Sequence, residues 1–145
     1  MSTVNPIPDG YHTVTPYLIV PDGAATIEFL KNAFGAIETF RMPGPDGAVV
    51  HAEVRIGDSM VMLGQASAEH KAMPCMIHLY VPDVDVVYDR ALKAGAVSVR
   101  PLADQFYGDR AGGVQDAAGN IWYIGTHVED VSPEEMERRA SAQKG

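Results

Sequence analysis

Residues 17–36 read YLIVPDGAATIEFLKNAFGA, and residues 78–96 read HLYVPDVDVVYDRALKAGA. Each stretch opens on a short apolar run, turns at Val-Pro-Asp, continues in a helical pattern and closes on Gly-Ala. The two Val-Pro-Asp tripeptides lie 61 residues apart, and the closing glycines Gly35 and Gly95 lie 60 apart. A fixed internal period of this size marks a duplicated supersecondary unit. The local chemistry agrees at each junction. Proline ends the strand, aspartate caps the helix that follows, and a glycine able to turn left-handed closes it.

Downstream of each helix come three strand-like runs separated by turn signals. In the first half the spacing predicts a strand over 14–20, a helix over 23–34 and strands over 36–42, 49–56 and 59–65. Pro43-Gly44-Pro45-Asp46-Gly47 is a loop that no strand could contain, and Gly57-Asp58 is a two-residue hairpin turn. In the second half a strand is expected over 76–81, a helix over 84–94, and strands near 97–103, 110–116 and 121–127. Ile27, Leu30 and Phe34 form the apolar stripe of the first helix; Val87, Ala91 and Leu92 are expected to face inward on the second. Ser132-Pro133-Glu134-Glu135 opens a last helix over about 133–142, with Ser132 as N-cap and a glutamate reaching back as a capping box. Its charged face is either solvated or packed on a partner subunit. The expected fold class is α+β, with two βαβββ repeats over about 12–66 and 75–128 in one domain spanning 1–145. Each repeat curves a mixed sheet and carries its helix on the convex side.

Composition narrows the function. The chain has 145 residues, 46% of them hydrophobic, and a formal net charge of −8. An acidic chain of this kind does not fit nucleic acid or an anionic membrane, since both reward Lys and Arg. No stretch is long and apolar enough to span a bilayer, and the N-terminus has no basic segment leading into an apolar run. Cys75 is the one cysteine, so no internal disulfide forms and a cytoplasmic location is expected. A lone cysteine is expected to be buried and unreactive rather than nucleophilic.

The paired Val-Pro-Asp junctions, the hairpin HAEVRIGDSMVML at 51–63 and the DAAGN turn at 116–120 resemble the vicinal oxygen chelate superfamily. That superfamily includes glyoxalase I, bleomycin-resistance proteins and extradiol dioxygenases. The resemblance covers roughly residues 12–128. More narrowly, TPYLIV, HAEVRIGDS, DQFYGDR and THVEDVSPEEMERR are similar to a glyoxalase-like bacterial subgroup. The resemblance implies two curved sheets that enclose a cup, within one chain or across a two-fold axis. Its metal enzymes place one ligand on each of four cup strands, and the corresponding positions here are Thr15, Met62, Met76 and Tyr123. None is His or Glu, and thioether, hydroxyl and phenol make no tight site for Zn, Ni, Fe or Mn. The expectation is therefore no metal and no cofactor.

Strand alternation then assigns the faces. Leu18, Val20, Ala52, Val54, Ile56, Val61, Leu63, Ile77, Leu79 and Val81 should meet the helices. Thr15, Tyr17, Ile19, His51, Glu53, Arg55, Met60, Met62, Met76, His78, Tyr80, Ile121, Tyr123, Gly125 and His127 should face the cup. With the turn at Gly57-Asp58, Glu53 should sit opposite Met62 and Arg55 opposite Met60. The candidate ligand-contacting residues are Tyr17, His51, Glu53, Arg55, Met62, Met76, His78, Tyr80 and Tyr123. Several alternatives stay open. His51, Glu53 and Arg55 are a solvated face with a Glu53–Arg55 charge network, a ligand-contacting row, or, with His78, a relocated metal site. His78 is a structural or an acid–base histidine, and the three tyrosines line a pocket or simply pack. Tyr107, Asp109 and Arg110 lie in a loop that could rim the cup, where Arg110 meets an anionic ligand or pairs with Asp109 or Asp116. The expected function is binding of a small organic molecule in the cup, by a homodimer. The alternative is a lyase, isomerase or dioxygenase-related enzyme with a displaced metal site or no metal.

Overall fold

The computed structural model describes residues 3–144. The first half runs β1 (Tyr17–Val20), α1 (Gly23–Phe34), β2 (Ile37–Pro43), β3 (Val49–Ile56) and β4 (Ser59–Gln65). The second runs β5 (Met76–Tyr80), α2 (Val84–Lys93), β6 (Val97–Asp104), β7 (Asp109–Gln115) and β8 (Ile121–His127), and α3 (Pro133–Lys144) ends the chain. Each half forms its own four-stranded sheet, in the orders β1-β4-β3-β2 and β5-β8-β7-β6. In each, the first strand runs parallel to the last and the remaining pairs are antiparallel. The expected α+β fold of two βαβββ units is the fold observed.

The junctions work as their residues dictate. Asp22 accepts from the backbone N–H of Ala25 at 3.1 Å and Asp83 from that of Val86 at 3.3 Å. Gly35 closes α1 at φ 67°, where only glycine is free of strain. Strand β1 is shorter than expected and starts at Tyr17, because Pro16 has no N–H to donate; its carbonyl still accepts from Met62. Glu53 pairs with Met62 and Arg55 with Met60, so the hairpin register is the one its turn requires. The capping box of α3 is only half made. Ser132 accepts from the N–H of Glu135, but the Glu135 carboxylate turns forward to Arg138 and Arg139. On α2 the inward residue is Tyr88 and not Leu92, which is 36% exposed. Tyr88 shares a face with Val84 and Ala91, and its hydroxyl has partners there in Ser98 and the Arg100 carbonyl.

A single core serves both halves. Leu18, Val54 and Leu63 from the first sheet and Val114, Trp122 and Ile124 from the second belong to one buried cluster with Ile27, Leu30 and Ala91 of the helices. The halves meet through their helices: α1 packs on α2, and Phe34 lies 5.0 Å, centroid to centroid, from Trp122. Among the described residues, no strand of one sheet pairs with a strand of the other. The faces turned away from the helices therefore do not close on each other into a cup within the chain. The connecting segment returns along β1, where Met73 bridges to Ile19. No helix among the described residues is long and apolar enough to cross a membrane.

Candidate functional site

On the open face of the first sheet, alternation along β3 brings His51 and Glu53 to the same side, and Tyr17 of β1 reaches them across β4. The Tyr17 hydroxyl lies 3.0 Å from His51 Nδ1, and His51 Nε2 lies 2.8 Å from Glu53 Oε2. The second Glu53 oxygen accepts from the Tyr11 hydroxyl. A carboxylate only accepts, so His51 carries its proton on Nε2 and its Nδ1 accepts from Tyr17. The result is a chain Tyr17–His51–Glu53–Tyr11 in which every donor has an acceptor. The Tyr17 ring crosses Gly64, whose absent side chain makes the room: a Cβ there would stand 2.8 Å from the Tyr17 hydroxyl.

This chain forms part of the wall of a cavity of about 670 Å³. Tyr17 and His51 supply its polar handle, Ile19, Val50 and Met73 its apolar surface, and Ser67 and His70 of the connecting segment its rim. Val50 reaches the cavity because the β2–β3 ladder shifts register between Met42 and Pro43, so that β3 carries an extra residue there. The cavity belongs to the first half and the connecting segment alone.

The open face of the second sheet carries a different cluster. Asp109 is 2% exposed and accepts from the Tyr80 hydroxyl at 2.7 Å, while its other oxygen lies 2.8 Å from His127 Nδ1. His127 Nε2 reaches Asp130 at 2.7 Å. Burial pushes the Asp109 carboxyl up, but hydrogen bonds from His127 and Tyr80 outweigh it and hold the carboxyl below its usual range. The same bonds raise its partners, His127 through Asp109 and then Asp130, Tyr80 through Asp109. The His78 ring stacks obliquely on Tyr80 at 4.8 Å, and Tyr123 lies opposite His78 and over Gly113.

The nine candidates thus divide between two faces. Tyr17, His51, Glu53, Arg55 and Met62 lie on the first sheet; Met76, His78, Tyr80 and Tyr123 lie on the second. A metal site from His51, Glu53 and His78 is not assembled within one chain, because His78 is on the other sheet. Among the described residues no group of three or more His, Cys, Asp or Glu is placed to hold a metal. Glu53 is engaged by His51 and Tyr11, not by Arg55. Arg110 does not pair with Asp109 or Asp116. It alternates to the helix side of β7, where it binds Asp85 of α2 at 3.0 Å and Asp104 at 3.4 Å. Thr15 precedes β1 and bonds the His12 carbonyl. Cys75 is exposed, not buried, yet desolvation and then Asp116 raise its thiol pKa. Sequence reasoning missed Tyr11, and it left Asp109 and His127 without the bond that joins them. Alternation had put His127 on the cup side of β8, but Asp109 was read as a loop residue, so their bond was not foreseen.

Comparison with known proteins agrees with this architecture. The family model of the Glyoxalase/Bleomycin resistance protein/Dioxygenase superfamily matches residues 11–124. The uncharacterized protein Rv0887c of Mycobacterium tuberculosis is 41% identical over 141 residues, which covers 90% of this chain and 83% of that protein. The crystal structure of TioX from Micromonospora sp. ML1 superposes with a TM-score of 0.69 at 27% identity, covering 81% of this chain and 99% of TioX. A glyoxalase/bleomycin resistance protein/dioxygenase from Nocardioides shares the fold, with a TM-score of 0.63 at 18% identity over 91% of this chain and 90% of its own. The chain belongs to the glyoxalase/bleomycin-resistance/dioxygenase superfamily.

Proposed function

We propose that this chain binds a small organic molecule against the open face of its first sheet, without the four-ligand metal site of the superfamily's metal enzymes. The observation that carries the reading is the cavity of about 670 Å³, apolar over most of its wall, with Tyr17 and His51 joined as its polar handle. Its size falls within the range of small-molecule sites, and a few convergent polar groups in an apolar wall are their usual composition. The four positions that would hold metal are Thr15, Met62, Met76 and Tyr123, a donor set with no imidazole or carboxylate. Saturation-transfer NMR with a panel of small aromatic compounds tests the reading: binding should be seen and should be blocked by Val50→Trp. Absence of binding across the panel, or binding unchanged by Val50→Trp, overturns it.

The working form is a homodimer in the cytoplasm. Tyr17, Phe40 and Val50 on one open face and Met76, Tyr80 and Val99 on the other are each at least 45% exposed. The chain exposes 8986 Å², whereas a compact 15.6 kDa monomer exposes about 7,200 Å². A two-fold pairing that sets the first sheet of one copy against the second sheet of its partner covers both faces and completes two equivalent cups. A second reading, an enzyme of the lyase or isomerase kind, is favoured by the hydrogen-bonded Tyr17–His51–Glu53 chain, which is built to move a proton.

A further inference from the structure

We propose that Tyr17, His51 and Glu53 form a proton-accepting subsite for the acidic hydroxyl of an aromatic ligand. The inference rests on the cavity reading above and names the class of molecule that the cavity takes. The wall selects the ring. Ile19, Val50 and Met73 offer apolar surface, and the cavity is large enough for one or two fused rings. A thioether beside an aromatic ring adds a favourable contact.

The polar end selects the hydroxyl. Tyr17 and His51 line the cavity, and Glu53 stands behind His51 without lining it. His51 therefore offers Nδ1 toward Tyr17 and the cavity, while Nε2 is fixed on a carboxylate whose other oxygen is held by Tyr11. Such a carboxylate stabilises the imidazolium that forms when Nδ1 takes a proton. A ligand carboxylate has no proton to give near neutral pH, and an aliphatic alcohol holds its own too firmly. A phenol made acidic by an electron-withdrawing substituent has a proton to give and leaves an oxygen anion that two donors can hold. The exchange balances without any further reactant. The ligand O–H bond breaks, its proton goes to Nδ1, and its electron pair stays on the oxygen. That oxygen then accepts from the new Nδ1–H and from the Tyr17 hydroxyl, which has turned from His51 to the ligand.

The pair 4-nitrophenol and 4-nitroanisole tests this with the full chain. They share a ring and nitro group, and only the first has a proton to transfer. At a pH below the dye's own pKa, 4-nitrophenol bound to wild-type protein should show the yellow phenolate band, and it should bind more tightly than 4-nitroanisole. His51→Ala should abolish the band and weaken 4-nitrophenol by roughly tenfold to a hundredfold, the scale of a charge-assisted hydrogen bond, and should weaken 4-nitroanisole by clearly less. Glu53→Gln keeps a hydrogen-bonding group in place and should move the band to higher pH, which a merely structural role would not do. Equal binding of the two probes with no band, or a band that persists in His51→Ala, refutes the inference and leaves the cavity reading standing. Failure of both probes to bind refutes both.

Discussion

The turn between β7 and β8 carries a stability prediction that can be worked from its bonds. Asp116 is buried, and its two oxygens take four donors. Oδ1 accepts from the backbone N–H groups of Ala118 at 3.0 Å and Asn120 at 2.9 Å. Oδ2 accepts from Asn120 Nδ2 at 3.3 Å and Trp122 Nε1 at 2.9 Å. Trp122 and Asn120 are 0% and 1% exposed, so water cannot replace what Asp116 supplies. Asp116→Ala leaves the indole and an Asn120 donor unpaired, each costing about 1–3 kcal/mol. A loss of about 4 kcal/mol is expected, or a fall in Tm of about 8–16 °C for a domain of this size. Asp116→Asn should lose at least half as much, because an amide has one accepting oxygen where the site needs two. Urea unfolding at a fixed protein concentration measures the loss. Trp122, the single tryptophan, reports it directly through its fluorescence. A loss below about 1 kcal/mol, the scale of an ordinary surface substitution, would show that the network does not anchor β8.

His127 has a pKa raised above 6.5 by Asp109 and Asp130, so its stabilising effect is full below that value and fades as pH rises through the raised pKa; His127→Gln should flatten the Tm–pH curve on the alkaline side of 6.5. Gly108 sits at φ +97°, and a Cβ there would stand 2.1 Å from the Glu129 carbonyl oxygen; Gly108→Ala should lower Tm by several degrees and raise hydrogen exchange in the loop before β7. Elemental analysis of purified protein should find no stoichiometric Zn, Ni, Fe or Mn, and about one ion per chain lost on His51→Ala would contradict this. Light scattering at micromolar concentration should give about twice 15.6 kDa, and a stable monomer would remove the proposed dimer.

The parts of the fold that were legible rest on short-range chemistry. Asp22, Asp83 and Gly35 sit at helix ends where few other residues work as well, and the Gly57-Asp58 turn fixes the β3–β4 register from within the hairpin. The open faces also followed from period-two alternation, with Trp122 inward and Tyr123 outward. What could not be read depends on distance along the chain. The bond from Tyr80 to Asp109 spans 29 residues and that from Tyr11 to Glu53 spans 42, and no local pattern announces either. The packing of α1 on α2 was hidden for a related reason. Each helix has one apolar stripe, and the stripe alone does not say whether a sheet, the other helix or both will cover it. Tyr88 displaced Leu92 because its hydroxyl found partners in Ser98 and the Arg100 carbonyl, a tertiary circumstance.

The bridge between Met73 and Ile19 bears on how the chain is made. As the polypeptide leaves the ribosome, the first sheet can assemble once β4 has emerged to lie beside β1, but the outer edge of β1 is then bare. Met73 follows Gln65 by only eight residues, so at ordinary rates of elongation the edge waits about a second for its cover. The β1 edge of a nascent first half is thus open to pairing with a neighbouring copy on the same polysome only for that interval. Stalling translation between Gln65 and Met73 should lengthen the interval and increase co-translational aggregation.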